Sequence, residues 1–190
     1  MELSNRIINY ITMKKALTLL LIALGVNLHA QSGVGGPTSK KTWFIEANTG
    51  LGDAHPSFTG LSLRSADGVT SYSVGGEVGY FLLEHFAIKA GVGYADNGLD
   101  EDLEIETISY KIGAKYYINE RFAFQTDVNA AQLTNPKRKP TYLGLQAGYA
   151  FFLYDVLSIE PGLRYDISIN QDFSSDNVFQ FAVGFVVFLK

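Results

Sequence analysis

From Thr42 to the end of the chain, apolar and polar residues alternate with a period of two, segment after segment. That period belongs to strands, because successive side chains of an extended backbone point to opposite faces. In residues 71–81 one face carries Tyr72, Val74, Gly76, Val78 and Tyr80, and the other Ser73, Gly75, Glu77 and Gly79. In 86–95 the apolar face is Phe86, Ile88, Ala90, Val92 and Tyr94; in 108–117 it is Ile108, Tyr110, Ile112, Ala114 and Tyr116. Segments starting at Phe122, Leu143 and Leu157 repeat the pattern, Val178–Leu189 ends it, and Trp43–Leu51 is the first and least regular. About eight strands result, most near the ~9–11 residues that a tilted membrane strand needs.

The connections alternate in length. Short ones fall at 82–85, 118–121 and 153–156, and longer polar ones at 52–70, 96–103, 132–140 and 168–177. Short turns at one end and long loops at the other are what an outer-membrane barrel shows. The expected fold is therefore all-β, a single eight-stranded antiparallel up-and-down transmembrane β-barrel over residues 42–190.

Composition agrees. The chain has 13 Phe, 11 Tyr and 19 Gly among 190 residues, yet its apolar and polar residues nearly balance, unlike a helical membrane protein. A lipocalin is also an eight-stranded alternating barrel, but its polar face meets water and carries long charged side chains. Here that face is largely Gly, Ser, Gln and Ala, which suits a lumen barely wide enough for side chains. Aromatics gather at strand ends: Trp43, Tyr80, Phe86, Tyr116, Phe122 and Phe151 at the short-turn end, Tyr72, Tyr94, Tyr142 and Phe179 at the other. Cysteine is absent, which excludes disulfides, thiol chemistry and a lipid anchor on Cys. The formal charge of −4 is no footprint for nucleic acid, and neither a metal nor a cofactor is expected.

Met13-Lys14-Lys15, the apolar run 16–26 and Ala30 read as a secretory signal peptide over residues 1–30, cut before Gln31. Translation is expected to start at Met13. Residues 31–41 read as a flexible polar leader.

Gly79-Tyr80-Phe81, Gly91-Val92-Gly93-Tyr94, Ile112-Gly113-Ala114-Lys115-Tyr116-Tyr117 and the C-terminal strand resemble the small OmpA/OmpX-like outer-membrane β-barrel family, in the variety found among Bacteroidetes and often labelled porin family. The resemblance implies an outer-membrane location, contact with lipid and lipopolysaccharide, a monomer, and handling by periplasmic chaperones and the barrel-assembly machinery. Ala182, Gly184, Val187 and Leu189 match the spacing of the family's assembly signal, with aliphatic residues where aromatics are usual and a trailing Lys190.

The candidate site is the lumen. Its inward charges are Glu77, Lys89, Lys111, Lys115, Asp127, Glu160, Arg164 and Asp166, with Glu46. Placing Tyr80 opposite Phe86 sets Glu77 opposite Lys89; placing Tyr116 opposite Phe122 sets Lys111 opposite Asp127. Opposite charges facing each other offset their desolvation. The expected function is a structural or interaction barrel, plugged by ion pairs and presenting its loops; the alternative is a narrow channel for ions or small solutes. Catalysis is not expected: His85 lies in a turn, and His55 with Asp53 and Ser57 are ordinary loop residues. The loops offer an acidic stretch (Asp96, Asp100, Glu101, Asp102, Glu104 and Glu106), a basic triplet (Lys137, Arg138 and Lys139) suited to lipopolysaccharide phosphates, and an apolar trio (Phe58, Leu61 and Leu63).

Overall fold

The computed structural model describes residues 35–51, 59–66, 69–96, 106–134, 139–170 and 177–189. The expected signal peptide, the start at Met13 and the first leader residues lie outside the described residues, as do Asp53, His55, Ser57, Phe58, Asp100, Glu101, Asp102, Glu104, Lys137 and Arg138.

Ten strand segments form: β1 (Trp43–Leu51), β2 (Ser62–Ala66), β3 (Val69–Leu83), β4 (Phe86–Asp96), β5 (Glu106–Ile118), β6 (Phe122–Leu133), β7 (Thr141–Tyr149), β8 (Phe151–Tyr154), β9 (Leu157–Ser168) and β10 (Val178–Leu189). All pair antiparallel in one sheet. β1 pairs β10 from Trp43↔Leu189 to Leu51↔Phe181, and pairs β3 from Trp43↔Tyr80 to Glu46↔Glu77, which closes the ring. The result is an eight-stave barrel, closed between β1 and β3 over Trp43–Glu46.

Ten segments make eight staves for two local reasons. β7 and β8 are one stave with a gap at Ala150. Gly148 pairs Gly162 and Phe151 pairs Ile159, so the register is the same on both sides of the gap. The ladder to β9 lapses at Tyr149 and Ala150, which this register sets opposite Pro161 and Glu160, and Pro161 has no N–H to give to it; the Ala150 N–H donates to Arg121 O at 2.6 Å, in register with the β6–β7 pairing. β2 is the second case. Beyond Glu46, β1 and β3 part, and residues 59–66 enter between them: Leu61 N–H donates to Asn48 O at 3.0 Å, and β2 pairs β3 from Ser62↔Ser73 to Ala66↔Val69. Sequence patterning assigned all of 52–70 to a loop; this part of it is strand.

The three short connections are tight. Leu83 pairs Phe86 across Glu84 and His85. Asn119 and Glu120 both have positive φ (51° and 58°), and Arg121 N–H donates to Ile118 O at 3.1 Å, a type I′ geometry whose twist matches that of the flanking strands. Tyr154 pairs Leu157 across Asp155 and Val156.

Residues 35–41, expected as part of a flexible leader, are fastened across the short-turn end. Lys41 N–H donates to Phe81 O, Phe81 N–H to Thr42 O, and His85 N–H to Thr38 O, all at 2.8–3.0 Å. Thr38 is fully buried, its hydroxyl 2.8 Å from His85 Nδ1.

Alternation decides what faces where. The outward positions are apolar and exposed, among them Trp43, Val78, Ile88, Val92, Ile112, Phe124, Leu145, Leu163 and Phe185. Trp43 lies 4.7 Å from Tyr80, and Tyr149 lies 5.2 Å from Phe122 and 4.6 Å from Phe151, so the rim at the short-turn end is aromatic. At the long-loop end Tyr72 and Tyr94 meet at 6.3 Å. Tyr142 does not join them: it shares parity with Gly144 and points inward, 2% exposed.

Candidate functional site

The lumen has two layers. At the short-turn end it is dry and aromatic. Phe44, Phe81, Tyr117 and Phe188 occupy inward positions and are almost fully buried, with ring centroids 5.4–6.5 Å apart. Phe152 adds a fifth ring, 5.6 Å from Phe188, and Ala87, Ala123, Ala150 and Val186 fill between them. Phe44 stands directly opposite Gly79, and its ring lies where a side chain at 79 would be. Sequence patterning placed aromatics only on the outside and missed this floor. The signal was there: Trp43-Phe44, Tyr80-Phe81, Tyr116-Tyr117 and Phe151-Phe152 are adjacent aromatic pairs, and in alternating strands one member of each must point inward.

Above the floor lie all nine buried charged side chains among the described residues: Glu46, Glu77, Lys89, Lys111, Lys115, Asp127, Glu160, Arg164 and Asp166. Seven contacts of 2.7–2.9 Å join them into two groups.

In the first group, Glu46 and Glu77 face each other directly across β1 and β3. Like charges on facing positions repel, and Lys89 sits between them, 2.8 Å from Glu46 Oε2 and 2.7 Å from Glu77 Oε2. Lys111 adds a contact to Glu77 Oε1, and Lys115 bridges Glu46 Oε2 to Glu160 Oε2. Thr59 and Asn48 also donate to Glu77, at 2.7 and 3.0 Å, and Tyr117 and Ser158 donate to Glu160, both at 2.8 Å. Lys115 Nζ stands 5.7 Å above the Phe44 ring and 5.3 Å above Tyr117, so the ammonium also meets the aromatic floor in cation–π geometry.

In the second group a single guanidinium holds two carboxylates. Arg164 donates from Nη1 and Nη2 to Asp127, and from Nε and Nη2 to Asp166, all at 2.7–2.9 Å. The fork of Arg suits two such bidentate contacts. Asn129 Nδ2 donates to both carboxylates and Gln125 Nε2 to Asp127. Gln125 also joins the groups, since its Oε1 accepts from Lys89 at 2.6 Å.

Glycine makes the room. Glu77 lies opposite Gly91, Asp127 opposite Gly113 and Gly144, Asp166 opposite Gly144, and Glu160 opposite Gly184. A methyl group on Gly91 would stand 2.6 Å from Glu77 Cγ, and one on Gly113 2.5 Å from Asp127 Cβ. The Gly144 position is filled by the Arg164 guanidinium and Asp127.

The inward charges were legible as a set, but not their partners. Glu77 stands opposite Gly91 rather than Lys89, and Lys111 opposite Asn129 rather than Asp127. Both hairpins are two residues out of the expected register, with Tyr80 on Ile88 and Tyr116 on Phe124. A shift of two preserves every face, so hydrophobic patterning cannot detect it. Glu77 and Lys89 still meet, diagonally; Lys111 contacts Glu77, and Asp127 is held by Arg164 from β9. Of the proposed assembly signal, Ala182 and Gly184 point into the lumen, while Val187 and Leu189 share the outward parity of Phe185.

No model of a known protein family and no curated protein matches the sequence. Solved structures with a similar backbone include the Yersinia pestis outer membrane protein Ail in a phospholipid bilayer nanodisc (14% identity, 78% of this chain and 99% of that one, TM-score 0.49). Neisserial surface protein A (12% identity, 76% and 96%, TM-score 0.47) and the N-terminal β-barrel domain of Pseudomonas aeruginosa OprF (13% identity, 78% and 98%, TM-score 0.46) are also similar.

Proposed function

We propose that this chain is an integral outer-membrane barrel with a plugged lumen, whose role is structural or interactive and is carried by the long-loop end. One observation carries the reading: the wall is inverted relative to a water-soluble protein. Large apolar side chains are exposed on the outward face of every stave, and the buried charges all point inward. An apolar surface of this extent needs a hydrocarbon partner, and a closed barrel satisfies its backbone without water, as hydrocarbon requires. The aromatic rims fall where membrane interfaces would be. With the short turns in the periplasm, β1 starts and β10 ends on that side, and the loops face outward.

The plug is supported by both layers of the lumen, a floor of packed rings below a network of paired charges. The reading assigns no catalytic residue. Lipid and lipopolysaccharide are its surroundings, and Ala182, Gly184, Val187 and Leu189 its signal to the assembly machinery. Reconstitution into planar bilayers tests it: the expected record shows no stable openings. Openings whose conductance changes in Lys111→Gln or Asp127→Asn would replace the plug with the channel.

A further inference from the structure

We propose that the charge network holds one monovalent cation over Gly184, between Asn48 Oδ1 and Glu46 Oε1. Asn48 lies level with Gly184 and is 5% exposed. Its Nδ2 donates to Glu46 Oε1 at 3.1 Å and Glu77 Oε1 at 3.0 Å. Two carboxylates therefore fix the amide's orientation, because the flipped amide would set its oxygen against both. Oδ1 is left pointing away from Glu77, buried and without a hydrogen-bond donor among the described residues. It points toward Gly184: a methyl group built there would stand 3.2 Å from Asn48 Oδ1, 3.4 Å from Glu46 Oε1 and 3.6 Å from Glu160 Cβ.

The space is thus bounded by two oxygens that accept and cannot donate, so its occupant must supply positive charge or protons. Charge balance selects the first. Among the described side chains the nine buried charged groups comprise five carboxylates and four cations, one formal negative charge in excess. A buried charge without compensation is costly, and one monovalent cation restores neutrality where a divalent ion would overshoot. The lysines do not fill the position, because Lys89 and Lys115 both bind the other oxygen of Glu46. Hard cations take oxygen ligands of this carboxylate and amide kind.

The site stands independently of whether the lumen conducts. Crystals of the full chain soaked in thallium(I) are expected to show an anomalous peak over Gly184, and crystals of Gly184→Ala, which puts a methyl group in that space, none. The thermal midpoint of the folded barrel, read by gel mobility, is expected several degrees higher in potassium or sodium chloride than in choline chloride of equal ionic strength. That difference disappears in Gly184→Ala and in Asn48→Leu; should Asn48→Leu not fold, Gly184→Ala decides alone. No anomalous peak, or equal midpoints in choline and potassium, overturns the proposal and leaves the space to water. Conductance tests the plug and the anomalous peak tests the cation, so either fails without the other.

Discussion

Arg164→Met removes the one cation that holds Asp127 and Asp166. The guanidinium makes four charge-assisted hydrogen bonds of 2.7–2.9 Å to those carboxylates. Without it, two negative groups remain buried on β6 and β9, either side of Gly144 of β7, with Asn129, Gln125 and Gln180 the donors left to them among the described residues. Breaking a buried pair by removing one partner costs about 3–5 kcal/mol. Replacing the whole group is a different perturbation. In Asp127→Asn/Arg164→Met/Asp166→Asn no charge is left unpaired, and exchanging a buried ion cluster for uncharged residues of similar volume is often near neutral. The triple variant is therefore expected to recover most of the loss. The assay is urea unfolding in lipid vesicles, followed by the single tryptophan, Trp43, which sits on the rim against Tyr80. If Arg164→Met falls within about 1 kcal/mol of the parent, or the triple variant is no better than the single one, the argument from unpaired buried charge is refuted.

Other expectations follow from the same geometry. Gly79→Ala drives a methyl group into the Phe44 ring and should cost about 1–3 kcal/mol in the same unfolding assay. Tyr117→Phe takes one of the donors from Glu160, which keeps Ser158 and Lys115, so a loss of only about 0.5–1.5 kcal/mol is expected. Ile112→Arg, on the outward face halfway along β5, should cost about 2–4 kcal/mol if that face meets the bilayer midplane, and almost nothing if it meets water. In planar bilayers Lys111→Gln should stay closed, whereas Phe81→Ala/Phe188→Ala, which opens the aromatic floor, should raise the leak; the opposite ranking would make the ion pairs the barrier.

The strands, their faces and the two kinds of connection were legible because a period of two records burial directly. β1 and β10 have the bounds the patterning gives, and every inward charge it named is inward. What failed had no record in that pattern. Register shifts by two leave each face unchanged, so Lys111 was set against the wrong strand partner. Arg164 reaches Asp127 across β7, a neighbour relation that depends on barrel closure and not on any hairpin. The aromatic floor was readable in principle from the paired aromatics but was masked by the habit of placing every ring on the lipid side; Tyr142 was misplaced for the same reason. Pro161 sat in the alternation as one more outward residue, although its missing N–H is what splits the seventh stave.

The glycines explain why the network is where it is. In a narrow barrel an inward carboxylate reaches a partner two strands away most directly where the residue between them has no side chain. Gly144 shows this best. It stands opposite both Asp127 and Asp166, and the guanidinium of Arg164 lies across it. Glu46 and Glu77 have no glycine between them, and there the solution changes: they face each other, and Lys89 reaches in to separate them. Spacing glycines opposite carboxylates thus converts hairpin neighbours into cross-lumen partners. The inward glycines, easily read as mere fillers of a tight interior, are what let Lys111 reach Glu77 across Gly91 and Arg164 reach Asp127 across Gly144.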